Sequence, residues 1–213
     1  MWSIRLVLLR VLIILGLFVF LGALLFWRSL NATPVVLSMP PVAAHIAEKL
    51  QPGDLIFRSG TAYESYLIKQ LSGSDFSHIG VVVSTTPNVQ IIHATTDDDP
   101  KRLNQVLRSS LAEFVTPELA SQWVVYRMTS LDDAAREQLL HSLEQVVGLP
   151  FRIQATDTEV ARYCTTIIRD GLPLTLQQQL KPQATSYPGF KGELLFPNAF
   201  LALEPLELIY HSE

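Results

Sequence analysis

Three side chains that lie far apart in the sequence could together support nucleophilic catalysis. Cys164 is the only cysteine among the 213 residues, and His78 and His93 each lie within an apolar, β-branched run. A thiol attacks as the thiolate, so it needs a base nearby and gains from a helix N-terminus below it. His78 could be that base, and His93 the partner that orients it. Taken singly, a free cysteine is more often a small buried hydrophobe.

The two histidines fall on segments that are predicted to form a hairpin. Residues 76–83 and 89–94 are strand-like runs, and the turn residues Thr85-Thr86-Pro87-Asn88 separate them. A loop with an even number of residues places His78 and His93 on the same face, opposite each other or one diagonal apart. An odd loop places them on opposite faces. The register of this hairpin therefore decides whether the two rings can act together.

The segment around Cys164 allows two helix starts. Residues 156–159 match a capping box, and a helix that begins there puts Cys164 about two turns in, where the helix dipole contributes little. A helix that begins near Tyr163 puts the thiol in the first turn, where the dipole favours the thiolate. Tyr163 could line a substrate pocket or pack as an ordinary aromatic residue.

Composition and charge exclude several classes of function. The net charge of −4 and the isoelectric point of 5.7 show no excess of basic residues of the kind that binds nucleic acid. A single cysteine excludes an intramolecular disulfide and a cysteine-based metal cluster. Asp97-Asp98-Asp99 lack the glycine and the distal glutamate of a calcium loop. We expect this loop to be solvated, and we expect no metal and no cofactor. Arg58 and Arg152 could contact an anionic group of a substrate, but we expect their charges to be solvated as well.

The N-terminal segment is predicted to be a membrane anchor. Residues 11–27 carry no charge, which reaches the lower end of the length that spans a bilayer. Arg5 and Arg10 precede this stretch and Arg28 follows it, which favours a cytoplasmic N-terminus. A cleaved signal peptide is the alternative, although no small-residue cleavage site follows the apolar core. We expect a single-pass protein of the inner (cytoplasmic) membrane with a periplasmic or other extracytoplasmic domain.

The rest of the chain reads as one domain. Residues 1–28 form the predicted anchor, residues 29–41 a proline-bearing linker, and residues 42–213 a domain of roughly 170 residues. Strands are predicted at 55–57, 76–83, 89–94, 123–128 and 206–210, and helices at 42–50, 61–71, 108–114 and 131–147. Residues 172–192 are predicted to form a loop. In the last helix the inward positions are Leu139, Leu140, Leu143, Val146 and Val147.

Four motifs, in this order, resemble a known family of hydrolases. They are Gly53-Asp54-Leu55-Ile56-Phe57, Phe76-Ser77-His78-Ile79-Gly80-Val81-Val82, Ile91-Ile92-His93-Ala94 and Tyr163-Cys164-Thr165-Thr166-Ile167-Ile168. The pattern is similar to the circularly permuted branch of the NlpC-type papain-like cysteine hydrolases, the YaeF/YiiX-like bacterial group. Lecithin–retinol acyltransferases belong to the same branch. The resemblance covers residues 51–210 and leaves the N-terminal segment outside.

The resemblance implies an α+β fold, a permuted papain-like domain whose antiparallel sheet packs on helices. It implies that Cys164 is the nucleophile, that His78 is the general base and that His93 orients His78. A second histidine in this role is similar to the acyltransferase side of the branch. The chain departs from the usual pattern at Thr165-Thr166, where Ser-Glu is common, and at Arg152, where Asp usually follows the turn. These departures leave the substrate contacts open.

The expected function is that of a membrane-anchored cysteine hydrolase, a thiol amidase or peptidase. It would cleave amide bonds, as in cell-wall peptides, through an acyl-enzyme. The alternative is an acyltransferase or lipase that acts on acyl groups of membrane lipids, and a second alternative is a non-catalytic binding domain. A lipid substrate predicts an apolar groove beside Cys164, whereas a peptide substrate predicts an open polar cleft. The backbone N–H of Cys164 is the expected oxyanion donor.

Overall fold

The structure is a computed structural model that describes residues 46–154, 160–187 and 190–212, together with Phe20 and Gly22. The chain divides into two units, Met1–Leu37 and Ser38–Glu213. Phe20 and Gly22 are helical. No helix of the described residues has the length and hydropathy needed to cross a bilayer. The rest of the predicted anchor lies outside the described residues, so the anchor, the domain boundaries and the location stay predictions.

A six-stranded antiparallel sheet forms the centre of the second unit. Its strands lie in the order β4-β3-β2-β1-β5-β8. They are β1 Leu55–Gly60, β2 His78–Ser84, β3 Gln90–Thr95, β4 Gln105–Ser110, β5 Ala120–Met128 and β8 Leu206–His211. A separate hairpin consists of β6 Gln183–Tyr187 and β7 Phe190–Leu194. The central strands β1, β2 and β3 are almost completely buried because apolar residues continue on both faces.

Short helices pack on this sheet. They are α1 Tyr63–Ser72, α2 Leu111–Phe114, α3 Asp133–Val146, α4 Cys164–Arg169, α5 Leu174–Gln177 and α6 Asn198–Leu201. Helix α3 begins after Asp132, whose carboxylate accepts a hydrogen bond from the N–H of Ala135. Helix α4 packs against β2, β3 and α3. The predicted α+β class, with an antiparallel sheet packed on helices, is confirmed.

The two faces of the sheet bury separate apolar cores. Side chains alternate along a strand, so Ile79 lies in the core that includes Ile168 of α4. Val82 lies in the second core, together with Phe114 of α2. The cysteine helix and helix α2 thus pack on opposite faces of the same strands.

Three local predictions are wrong. The predicted helix at 108–114 is the end of strand β4 followed by α2, whose N-cap residue Ser110 forms a capping box with Glu113. The predicted loop at 172–192 contains α5 and β6. Val147 is 37% exposed rather than inward, because α3 ends at Val146 and the chain is extended at the next residue.

Candidate active site

The two histidine rings meet on one face of the sheet. In the β2–β3 hairpin Val81 pairs with Ile92, and this register places His93 opposite Gly80 and diagonal to His78. The Nε2 of His78 lies 3.0 Å from the Nδ1 of His93. Of the two registers that the sequence left open, the one that places both rings on the same face is therefore present, with the rings one diagonal apart.

His93 is held from three sides. Its Nε2 lies 3.0 Å from the Oγ of Ser109 on β4, and its Nδ1 lies 3.6 Å from the Oδ2 of Asp98. The ring of Phe114 packs edge-on against it, with the ring centroids 5.0 Å apart. The same phenyl ring lies 5.6 Å from the ring of His78. Buried on this face, both imidazoles have fixed orientations.

A buried ion pair lies beside the histidines. The Nη2 of Arg58 lies 2.6 Å from the Oδ2 of Asp98, and the two side chains are only 5% and 9% exposed. The other guanidinium nitrogen, Nη1, donates to the carbonyl of Phe114, and the Oδ1 of Asp98 accepts from the hydroxyl of Thr95. The prediction that Arg58 and this aspartate are solvated is wrong. Of the three consecutive aspartates, Asp97 is the exposed one.

Sequence reasoning did not assign Asp98, Arg58 or Ser109 to the site. A signal existed for Arg58, because it follows Phe57 in a strand whose apolar residues fill both faces. An arginine in such a strand needs a buried partner. No comparable signal marks Asp98, since its two neighbours are also aspartates and only the path of the loop turns one of them inward.

Cys164 is the first residue of helix α4, and Tyr163 is the residue that precedes the helix. Of the two helix starts, the one near Tyr163 is therefore present, whereas the capping box at 156–159 lies outside the described residues. The half-buried thiol packs against the apolar core. Burial raises the pKa of the thiol to about 11, and hydrogen bonds from the backbone N–H groups of Ile79 and Thr165 lower it only in part. At neutral pH the resting group is a thiol, not the expected thiolate.

Burial also keeps both histidines neutral at pH 7. Desolvation, followed by the charge of Arg58, lowers the pKa of His78 well below 6.5. Desolvation lowers the pKa of His93 to about 3, although Asp98 acts against it. Burial opposes ionisation of Asp98, but its neighbours, Arg58 among them, lower the pKa of the carboxyl to about 2. The site at rest therefore pairs a neutral thiol with neutral imidazoles beside an ionised carboxylate.

Cys164 and His78 line the same cavity, which has a volume of about 390 Å³. Arg58 and Asp98 also reach it. Most of the other lining side chains are apolar and include Leu67, Ile68, Leu71, Phe151, Leu194 and Phe196. In the part of the chain that the structure describes, no hydrogen bond joins the sulfur of Cys164 to either imidazole. The thiol instead contacts β2 at Ile79, one residue after His78.

Tyr163 also lines this cavity. Its hydroxyl oxygen accepts a hydrogen bond from the backbone N–H of Leu195, 3.0 Å away, so the ring joins the start of α4 to another wall of the cavity. Arg152 does not line the cavity. Its backbone forms a bridge with Arg162. Of these two candidate substrate contacts, Tyr163 is therefore in position to make one.

One solved structure is similar to this chain in fold, whereas sequence comparisons find no match. No protein-family model matches this sequence, and no curated protein matches it significantly. Among solved structures, the chain is similar to the metalloprotein YiiX from Escherichia coli O157:H7, with a TM-score of 0.62 and 17% sequence identity. The match covers 77% of this chain and 98% of the YiiX chain. The chain therefore has a YiiX-like fold, and the resemblance to the YiiX-like group is confirmed at the level of the fold.

Proposed function

We propose that this chain is a cysteine hydrolase or acyltransferase that carries an acyl group on Cys164. His78 is the general base, and His93 orients it. The observation that supports this assignment best is the single apolar cavity lined by both Cys164 and His78. We further propose, from the order of the four motifs, that the domain has the permuted papain-like arrangement. The YiiX-like fold supports this proposal.

The proposed roles determine the positions of the protons. To accept the thiol proton at Nδ1, His78 carries its own proton on Nε2 and donates it to the Nδ1 of His93, 3.0 Å away. His93 then carries its proton on Nε2 and donates to the Oγ of Ser109, 3.0 Å away. Both rings are neutral in this arrangement, in agreement with their lowered pKa values.

Because the thiol is protonated at rest, proton transfer accompanies the attack. The sulfur forms a bond to the carbonyl carbon, its proton passes to His78, and the carbonyl π electrons move onto the oxygen. The new imidazolium forms near Asp98, whose charge raises the pKa of His78. Catalytic hydrogen bonds are often long before substrate binds. The absence of a hydrogen bond between the sulfur of Cys164 and the ring of His78 is therefore compatible with His78 as the general base.

The intermediate then collapses to the acyl-enzyme. The backbone N–H of Cys164 is the expected donor to the oxyanion, and one such donor contributes about 3 kcal/mol or more to the transition state. His78 returns the proton to the departing alkoxide or amine, which leaves a thioester on Cys164. Water or another acceptor resolves the thioester, giving hydrolysis or transfer.

The walls of the cavity favour an apolar acyl chain as the transferred group. Ile68 packs with Leu194 and Phe196, and each methylene removed from water contributes about 0.8 kcal/mol. A peptide backbone placed against such walls would leave its amide groups without partners. An acylated lipid is therefore the preferred substrate class. The predicted membrane anchor would keep the domain close to such lipids.

Cell-wall peptide cleavage is the second candidate. The cavity also contains charged groups, Arg58, Glu64 and Asp98 among them, and these could bind the charged ends of a peptide. The chemical steps are the same, with an amine instead of an alkoxide as the leaving group.

The test offers the purified full-length protein phospholipid vesicles and muropeptides in parallel, with Cys164→Ala as the control. We expect released fatty acid or a transacylated product in the lipid assay only, and an acyl adduct on Cys164 by mass spectrometry. A product from muropeptides alone would reassign the substrate. The binding-domain alternative would hold if an activated acyl ester acylates Cys164 no faster than free cysteine and His78→Ala changes nothing.

A further inference from the structure

The positions of His78, His93 and Asp98 point to a binding site for a divalent transition-metal ion of the zinc class. Their candidate ligand atoms all lie within 4.8 Å of one another. The Nε2 of His78 is 3.0 Å from the Nδ1 of His93, which is 3.6 Å from the Oδ2 of Asp98. Ligand atoms about 2.0–2.2 Å from one zinc ion lie roughly 3.0–3.6 Å apart. These two distances suit a shared ion, and the third pair, His78 and Asp98, would have to lie closer than the 4.8 Å that bounds the group.

The donor set matches this class of ion. Two imidazole nitrogens and one carboxylate oxygen suit zinc and other first-row transition metals, and are less suited to magnesium or calcium. Three protein ligands leave at least one coordination position for water or another ligand. His78 and Asp98 line the cavity, so this position would face the cavity.

The groups around the ligands already have the arrangement that a metal site needs. A histidine ligand usually hydrogen-bonds through its second ring nitrogen, and the Nε2 of His93 lies 3.0 Å from the Oγ of Ser109. Thr95 donates to the other carboxylate oxygen of Asp98. The phenyl ring of Phe114 packs against both imidazoles. The three ligands are thus held in place without an ion.

Arg58 competes with the ion for Asp98 and therefore lowers the affinity for the metal. The Nη2 of Arg58 lies 2.6 Å from the same Oδ2 that would bind the ion. A divalent ion and a guanidinium would then compete for one buried carboxylate. We therefore expect Arg58→Gln, which removes the positive charge, to tighten metal binding.

Metal binding and thiol chemistry exclude each other at His78. An ion takes the lone pair of Nε2, whereas the general-base role keeps a proton on that nitrogen. The metal site does not depend on the proposed thiol reaction, and it can be tested when no substrate is known.

The test titrates the metal-free full-length protein with Co²⁺, followed by visible absorption, and with Zn²⁺ in competition with bound Co²⁺. We expect one ion per chain, with a spectrum of nitrogen and oxygen ligands that Cys164→Ser leaves unchanged. Asp98→Asn and His78→Gln should each lower the affinity about tenfold or more. These two positions are chosen because His93 is completely buried and its replacement could prevent folding.

Three results would overturn the site. They are no Co²⁺ binding by the folded protein, a thiolate-to-cobalt band that Cys164→Ser abolishes, and unchanged affinity in either Asp98→Asn or His78→Gln. Circular dichroism shows whether each variant is folded, and Arg58→Gln gives a readout in the opposite direction. Tighter binding in Arg58→Gln supports the site, and weaker binding in a folded Arg58→Gln protein counts against it.

Discussion

The protonation state of Cys164 results from two opposed effects. The first turn of α4 and the strand β2 direct the backbone N–H groups of Thr165 and Ile79 at the sulfur, which favours the thiolate. Burial against the apolar core favours the neutral thiol, and it dominates because the pKa reaches about 11. The sulfur thus becomes nucleophilic only when a base removes its proton.

Alkylation of Cys164 should therefore be slow and should keep increasing with pH. With a pKa of about 11, the thiolate fraction at about pH 8 is roughly 100-fold below that of a free cysteine. Iodoacetamide modification, followed by mass spectrometry, should be slower by this factor and should still accelerate at about pH 10. A plateau near the free-thiol pKa would show that the thiol is not desolvated.

Gly80 provides the space in which the histidines meet. An added Cβ there would lie 2.7 Å from the Cγ2 of Ile91 and 3.2 Å from the Cβ of His93. We expect Gly80→Ala to lower the free energy of unfolding by about 1–3 kcal/mol and to slow acylation of Cys164, because His93 must shift. Urea unfolding and a single-turnover acyl-ester assay measure the two effects.

Gly73→Ala is the control for this substitution. Gly73 has a φ of 65° and no atom within 4 Å of an added Cβ. Its replacement should therefore cost stability through backbone conformation alone. Equal loss of acylation in both variants would contradict a local effect of Gly80 on the histidine pair.

At the scale of elements, one wall of the cavity consists of helix α1, the end of β7 and the segment that follows it. Ile68 packs with Leu194 and Phe196. We expect Ile68→Ser to lower kcat/KM for a long-chain acyl ester by about tenfold or more. The acetyl ester should be much less affected, because it has no alkyl chain to pack against this wall.

The matched control is Leu174→Ser on α5. Leu174 is 71% exposed and does not line the cavity, so neither substrate should be affected. An equal loss on the long and short esters in Ile68→Ser would point to general destabilisation and away from contact with the chain.

Prediction from sequence succeeded for strongly patterned elements and failed for weakly patterned ones. The β-branched runs of β2 and β3 and the apolar stripe of α3 identify these elements without ambiguity. Strand β4 is the last strand of the sheet and pairs along its length with β3, while Gln105 at its start also bridges to Pro150. The second half of β4 is Arg108-Ser109-Ser110. It therefore lacks the continuous apolar run that is typical of a buried strand. Backbone pairing with other segments, chiefly β3, makes this segment a strand.

At the scale of the whole molecule, the buried histidines link stability to pH. In the folded chain the pKa of His93 is about 3, whereas an unfolded histidine titrates near about 6.5. Below the unfolded value, protons bind the unfolded chain and not the folded one, so stability falls with decreasing pH. His78 acts in the same direction. Asp98, with a pKa of about 2, adds a further loss only at lower pH.

We expect the free energy of unfolding to start falling below about pH 6.5, by up to roughly 4 kcal/mol from His93 alone by about pH 3.5. Urea unfolding at several pH values between about 7.5 and 4 measures this dependence. His78→Gln should make the curve less steep, because the pKa of His78 is also lowered in the folded chain. A wild-type stability that stays constant down to about pH 5 would contradict neutral buried histidines.

The sequence alone determined the hairpin that carries both histidines and the cysteine segment, because periodicity and turn residues are local properties of a chain, and the resemblance of its four motifs to a known family implied the α+β class. The tertiary structure decided three further properties: that Asp98 turns inward to Arg58, that Cys164 is too desolvated to be a thiolate at rest, and that the cavity beside it is largely apolar. Each depends on which groups from distant segments surround a side chain and exclude water from it. No local pattern contains that information.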